Sequence, residues 1–208
     1  MAESDYAVNY AQNLDEAKES LGVIARQSKK IALLIDQILE LSRLESGKNL
    51  MLKRINLSSI LQNSATDYGK LASAKGIKFS CEIAPNVEIR GDELMISRLV
   101  DNFLSNALKF TTSKIDLNLS VSKMYALLSV KDDGVGISQK DSELIWNKFY
   151  QADSSRNKNL NTGSGLGLAI AANIAKIHGA KLGVKSDTGA GSEFWAEFEL
   201  VNLKEVKI

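Results

Sequence analysis

Leu99-Val-Asp-Asn-Phe-Leu-Ser-Asn-Ala-Leu-Lys-Phe110 decides how the rest of the chain reads. Leu94, Leu99, Phe103 and Leu108 are among the apolar positions of a strongly amphipathic helix predicted over 92–110. Asn102 and Asn106 are four residues apart and Lys109 follows three later, so helical spacing puts all three on one stripe. Two neutral amides and an ammonium make poor core material, yet apolar residues flank them. The amide oxygens can take a hard cation or its waters, and the ammonium can meet a phosphate. By itself such a stripe is most often a solvated helix face, so its meaning depends on the segments around it.

Two glycine-bearing segments follow. Asp132-Asp-Gly-Val-Gly-Ile137 comes directly after a hydrophobic strand. Its glycines would let backbone approach a flat ligand, and a fixed carboxylate can accept from an exocyclic amine. A plain strand-ending turn would look the same. Gly163-Ser-Gly-Leu-Gly-Leu168 opens a helix, where backbone N–H groups and the helix N-terminus attract phosphate oxygens. It lacks the Gly-Lys-Ser/Thr of a P-loop, and its glycines at 163, 165 and 167 do not have the dinucleotide-binding spacing.

Around these segments the chain reads as α+β. Leu14, Leu21, Ser28, Ile35 and Ser42 recur every seven residues, interleaved with Ala17, Ile24, Ile31 and Ile38. That seam predicts one helix of about 33 residues, roughly 50 Å long, opened by an Asn13/Glu16 capping box and closed at Gly47. Its apolar stripe needs partners, so self-association or docking is expected. A second helix is predicted from Asn56 to Ala74. Strands are predicted at Ile77–Ile83 and Val87–Arg90, either side of the Pro85-Asn86 turn. A hairpin is predicted at Ile115–Val121 and Tyr125–Lys131. Helices follow from Ser138 to Phe149 and from Leu166 to His178, with a polar loop at Ala152–Ser164 between them. Lys181–Ser186 and Glu193–Leu200 make a last hairpin. Strands grouped beside helices, without regular βαβ alternation, predict a mixed sheet with helices on one face.

Composition narrows the chemistry. The 208 residues carry 26 Lys+Arg against 25 Asp+Glu, a net charge of +1 that argues against nucleic acid as the main partner. One cysteine, Cys81, excludes an internal disulfide framework, and one histidine, His178, excludes His/Cys metal clusters. The apolar runs are too short to span a bilayer, and a reducing cytoplasmic setting is the default.

Taken in order, Asn102…Asn106…Lys109, Asp132-x-Gly134-x-Gly136, Phe149-Tyr-Gln-Ala-Asp153, Gly163-x-Gly165-Leu-Gly167-Leu and Gly189-x-Gly191-Ser-x-Phe194 resemble the N, G1, F, G2 and G3 boxes of sensor histidine kinases. The resemblance covers about residues 55–202. It implies a GHKL (Bergerat-type) α/β sandwich at 49–208. Ile35–Lys48 resembles the end of the second helix of the family's dimerization and phosphotransfer bundle, so 1–48 would be a partial bundle domain. By this resemblance ATP and Mg²⁺ are the ligands, and Asn106 would hold the metal. Asn102 and Lys109 would contact phosphates and serve catalysis, and Phe110 would lie against the nucleotide. Asp132 would bind the adenine amine, with Gly134 and Gly136 shaping that pocket and Ser192 supporting it. Gly163, Gly165, Leu166 and Gly167 would hold the triphosphate, and Arg156 would reach the γ-phosphate.

Gyrase-type relatives carry a glutamate where this chain has Asn102, and that carboxylate activates water for hydrolysis. An amide cannot take the proton, so the γ-phosphate should await another nucleophile. Asp101 points about 100° away on the helix and is a poor substitute. The family's His-Glu/Asp-x-x-x-Pro phosphoacceptor motif is missing, since the one histidine and the one proline, Pro85, lie elsewhere. His178, before Gly179, reads as a residue of the helix's last turn that favours the dipole. Gln151 stands where many members place arginine. Either the acceptor histidine lies on another helix ahead of Met1 in a longer chain, which the start of the sequence fits better, or the protein has lost it. The resemblance also implies a response-regulator receiver as partner and a homodimer, in the cytoplasm or as the cytoplasmic part of a membrane-bound sensor. A nucleotide-binding module without phosphotransfer and a GHKL ATPase are the alternatives.

Overall fold

The computed structural model describes residues 13–46, 52–152 and 163–201. The chain divides into two compact units, residues 1–42 and 43–208. Most of the first is helix α1 (Leu14–Ser46). Asn13 caps α1 as its sequence predicts: its Oδ1 accepts from the N–H of Asp15 at 3.1 Å and of Glu16 at 2.9 Å, while its Nδ2 donates to Glu16 Oε1. Leu14, Leu21, Ile31, Ile35 and Ile38 of the heptad seam are exposed. The expected closure at Gly47 lies outside the described residues.

The second unit carries β1 (Lys53–Asn56), α2 (Leu57–Ala74), β2 (Lys78–Ile83), β3 (Glu88–Gly91), α3 (Glu93–Phe110), β4 (Lys114–Val121) and β5 (Tyr125–Asp132), then α4 (Gln139–Leu144), α5 (Gly167–Ile177), β6 (Lys181–Ser186) and β7 (Ser192–Glu199). Five strands form one sheet in the order β2-β4-β5-β7-β6; β2 and β4 are parallel and the other pairs antiparallel. This is the mixed sheet predicted from the sequence. Alternation sorts its faces: Ile115, Leu117 and Leu119 of β4, Ala126, Leu128 and Val130 of β5, and Phe194, Ala196 and Phe198 of β7 are buried. Their neighbours are more exposed, as expected when an antiparallel sheet covers one face only.

Helices α2, α3 and α5 fill that face. The α3 residues Ile96, Leu99, Val100, Phe103, Leu104 and Ala107 are completely buried, and the Phe103 ring lies 5.6 Å from that of Phe194. Burying a phenylalanine stabilises a fold by about 1.5–3 kcal/mol, so this pair anchors α3 on the sheet. Leu94, expected among the apolar positions of α3, is exposed on its first turn.

The structure differs from the sequence reading at two places. The stretch around Pro85-Asn86 joins two different sheets: β2 pairs with β4, whereas β3 pairs antiparallel with β1, a strand not foreseen. Ser58 on α2 holds the turn between them, because its Oγ donates to Ala84 O at 2.6 Å and accepts from Val87 N–H at 2.9 Å. The helix predicted from Ser138 to Phe149 ends at Leu144. Tertiary bonds take the remainder: Phe149, at φ 63°, donates its N–H to Gly165 O, and Tyr150 donates its hydroxyl to Asp141 at 2.6 Å. Within the predicted loop at 152–164, residues 153–162 lie outside the described residues.

Candidate functional site

Helix α3 starts with the Asp92 carboxylate accepting from Met95 N–H at 3.0 Å. Ten residues on, Asn102 is nearly buried, and its Nδ2 donates to Arg98 O at 2.8 Å. That bond turns Oδ1 toward the first residue of α5, where a β-carbon on Gly167 would lie only 2.7 Å from it. Glycine is what admits the amide. One end of the stripe is therefore fixed against the Gly163–Gly167 segment. Lys109, at the other end, places Nζ 4.6 Å from the Phe110 ring centre and beside Gly163, 3.7 Å from where a β-carbon would sit. Asn106, between them, is half-buried, and its amide makes no hydrogen bond among the described residues.

A second cluster forms where β5 ends. Asp132 is 4% exposed; its Oδ1 accepts from Gly134 N–H at 2.8 Å, and the carboxylate also accepts from Ser192 N–H. Burial pushes this carboxyl above its ordinary value, against the pull of those two donors. Gly134 is required by close approach, since a β-carbon there would lie 2.1 Å from the Phe110 carbonyl oxygen. Phe110, at the end of the polar stripe, thus touches the Asp132 turn. Ser186 completes the cluster: its hydroxyl donates to Gly191 O at 2.7 Å and accepts from Ile137 N–H, so Ser192 Oγ, 3.0 Å away, is the donor of their shared bond.

The structure therefore lays the Gly163–Gly167 segment along the α3 stripe, with Gly167 against Asn102 at one end and Gly163 beside Lys109 at the other. It brings Phe110, Asp132, Gly134 and Ser192 together where β5 ends. Gly136 packs on the Asp187 carbonyl, and Gly165 packs on Phe149 and Tyr150. Gln151 Nε2 donates to Gly163 O at 2.7 Å. Leu166, expected among the residues that hold the triphosphate, is completely buried, and its N–H donates to Ser164 Oγ. Arg156 lies outside the described residues.

Asp133 was not singled out in the sequence. Its Oδ1 accepts from Thr111 Oγ1 and from the N–H groups of Thr112, Ser113 and Lys114 at 2.7–3.0 Å, and its Oδ2 accepts from Ser113 Oγ at 2.6 Å. What burial it has pushes the carboxyl up, but these donors outweigh it and hold the group far below the usual carboxylate range. One side chain thus clips the loop after α3 to the end of β5. The acidic pair Asp132-Asp133, with Thr111-Thr-Ser113 upstream, was the available signal.

Asp101 turns away from the stripe. Its carbonyl accepts the Tyr68 hydroxyl at 3.2 Å, and Tyr68, Arg98 and Asp67 are the groups that act on its carboxylate. Burial raises the Asp101 carboxyl, and burial with Asp101 nearby pushes the Tyr68 hydroxyl up to about 12. The dipole reading of His178 is also corrected. Burial lowers its basicity, Nδ1 lies 2.7 Å from Ile174 O, and Nε2 accepts from Asp92 N–H at 3.0 Å. A backbone N–H can only donate, so the ring is the neutral Nδ1–H tautomer and brings no charge to the helix end.

The donor set suits a hard cation. Among the described residues no group of three or more His, Cys, Asp or Glu side chains could hold a metal. Asn106 offers a neutral amide oxygen that a hard cation can take while waters and phosphate oxygens fill its other positions. No described helix is long and apolar enough to cross a membrane.

Residues 91–202 match the family described as histidine kinase-, DNA gyrase B- and HSP90-like ATPase. The chain is 32% identical over 197 residues to the sensor protein GacS of Pseudomonas syringae pv. syringae, spanning 90% of this chain and 22% of that protein. It is 31% identical over 192 residues to the sensor histidine kinase RppB of Synechocystis sp., spanning 90% of this chain and 42% of RppB. The chain thus spans less than half the length of these curated relatives. The fold matches the crystal structure of full-length ShkA in complex with AMPPNP at a TM-score of 0.76 and 24% identity, over 97% of this chain and 42% of that one. With its ordered glycine segments, its amide stripe and a sequence match over more than half its length, the chain belongs to the histidine kinase-, DNA gyrase B- and HSP90-like ATPase family, as a catalytic domain of the sensor histidine kinase type.

Proposed function

We propose that this domain binds ATP with Mg²⁺ along the α3 stripe and transfers the γ-phosphoryl group to a histidine on another helix. The observation that carries the reading is the double anchoring of α3, by Asn102 on Gly167 at one end and by Phe110 on Gly134 at the other. In this reading Asp132 accepts from the adenine amine while Ser192 and Gly134 hold the carboxylate in place. Phe110, Gly134 and Gly136 bound the purine. Asn102, Lys109 and the backbone N–H groups of the Gly163–Gly167 segment take phosphate oxygens, with Arg156 as a further contact. Asn106 is the protein ligand for Mg²⁺, which when bound neutralises charge on the transferring phosphoryl group.

Lys109 stabilises the same developing charge from a fixed position. Asn102 has no proton-accepting group, and Asp101 is turned toward Tyr68, so neither offers a carboxylate to activate water. The bond between the γ-phosphorus and its bridging oxygen then breaks as a phosphorus–nitrogen bond forms on the acceptor, and ADP leaves. Residues 1–48 act as part of a bundle domain and 49–208 as the catalytic domain. The exposed heptad seam of α1 supports dimerization, and the phosphohistidine passes its phosphoryl group to a response-regulator receiver.

Titration calorimetry with ATP in the presence and absence of Mg²⁺ tests the binding, and labelled ATP with an added histidine-bearing bundle tests the transfer. Micromolar-to-millimolar binding, lost in Asn106→Asp, and label on the bundle histidine are the expected results. Absence of binding with Mg²⁺ present would overturn the site. Binding with sustained phosphate release and no transfer would overturn the kinase reading.

A further inference from the structure

We propose that His178 is a positioning residue for nucleotide binding: its imidazole clasps the head of α3 to the tail of α5 and sets the register in which Asn102 meets Gly167. The inference rests on the nucleotide reading of that site. The two helices pack together and touch at two fixed points. At one, His178 Nε2 accepts from Asp92 N–H at 3.0 Å; at the other, Asn102 Oδ1 abuts Gly167. Asp92 to Asn102 is ten residues of α3, and Gly167 to His178 is eleven of α5. At 1.5 Å per residue these spans are about 15 and 16.5 Å, so the helices run antiparallel between two matched tethers. Sliding α5 by a single residue would move Gly167 about 1.5 Å from the Asn102 amide, and the clasp fixes that sliding by a directed bond.

The ring is built into its place. A β-carbon on Gly91 would lie 3.0 Å from His178 Cδ2, so the glycine that ends β3 leaves the space the imidazole fills. Both ring nitrogens are engaged, Nδ1 as donor to Ile174 O and Nε2 as acceptor. A second ring proton would point Nε2–H at Asp92 N–H, two donors face to face, and break the clasp. The surrounding elements carry Lys53 and Arg54 on β1, Glu88 and Arg90 on β3, Asp92 and Glu93 at the start of α3, Lys176 on α5, and Lys181 and Lys185 on β6; of these, Asp92 is the charge that acts on the ring. Asp92 favours the imidazolium, and burial outweighs it. Below the ordinary histidine value the unfolded chain therefore binds the proton more readily than the folded one, so acid weakens the clasp.

Because the chain has one histidine, its ring ¹⁵N resonances report the clasp directly. Nucleotide-free spectra of the wild-type chain should show the Nδ1–H tautomer at pH 7.5, with protonation only below the ordinary histidine range. An Nε2–H tautomer, or titration at the ordinary value, would overturn the clasp whether or not ATP binds. His178→Gln supplies an acceptor that does not titrate, and comparing it with wild type at each pH cancels protonation of ATP itself. From pH 7.5 to about one unit below the midpoint that the ring ¹⁵N resonances show, the ratio of wild-type to variant Kd for Mg-ATP should rise at least about threefold, within the tenfold per unit that one proton allows. A flat ratio would overturn the positioning role. His178→Ala should weaken Mg-ATP binding at pH 7.5, with His178→Gln restoring it. Wild-type affinity in a folded alanine variant would also refute the proposal. If the wild-type chain binds no ATP at pH 7.5 while the ring shows the expected tautomer, the nucleotide reading fails and not the clasp.

Discussion

Replacing Gly167 with alanine separates the proposed site from the fold that supports it. The new β-carbon would lie 2.7 Å from Asn102 Oδ1, whereas a carbon–oxygen contact settles at about 3.3 Å, so the amide must retreat by roughly 0.6 Å or turn. Asn102 is nearly buried and tied to Arg98 O, so turning costs it that bond or its orientation. The helix itself gains, because alanine is favoured over glycine in a helix by up to about 1 kcal/mol. Thermal stability should therefore stay within a few degrees of wild type. If Asn102 gives one hydrogen bond to a charged phosphate, losing it costs about 1.5–3 kcal/mol. That corresponds to a Kd for Mg-ATP about ten- to 150-fold weaker by titration calorimetry. Adenosine, which has no phosphates, should bind Gly167→Ala and wild type equally. Unchanged Mg-ATP affinity in a folded variant, or equal loss for adenosine, would refute the role given to Asn102.

Asp132→Asn should weaken ATP, ADP and adenosine alike, by about tenfold or more in Kd, because it disturbs the base end and leaves the phosphate end intact; calorimetry with the three ligands checks this. Asp133→Ala frees the Thr111–Lys114 loop and should cost about 1–2 kcal/mol in urea unfolding near neutral pH, a cap-sized loss limited by solvent screening at this exposed site. The folded Asp133 carboxyl lies below its ordinary value of 3.8, so its contribution is complete above that value and fades as pH falls below it. The stability gap between wild type and Asp133→Ala should accordingly narrow at about pH 2.5. Phe103→Ala empties a completely buried position against Phe194 and should cost about 3–5 kcal/mol, read as a lower urea midpoint.

Some of the errors in reading the sequence share one physical cause. The end of the helix after Ser138 is set by Gly165 and Asp141 acting on Phe149 and Tyr150, bonds whose partners lie up to 16 residues away. The turn between β2 and β3 is held by Ser58, 26 residues upstream of Ala84. Asp133 sits beside a residue that was singled out, yet its five donors come from a loop about 20 residues earlier.

Local chemistry was legible where a residue and its partner are close in the chain. The Asn13 and Asp92 ends, the alternation of β4 and β5, and the helical stripe of Asn102, Asn106 and Lys109 follow from periods of two and 3.6 and from side chains that bond three residues ahead. Those rules hold wherever the chain goes. Which glycine receives the Asn102 amide, which carbonyl fills the space at Gly134, and which N–H the imidazole of His178 accepts are contacts between segments 24 to 86 residues apart. They exist only once the sheet and its three covering helices have packed, because close packing, not local preference, decides which distant atoms meet.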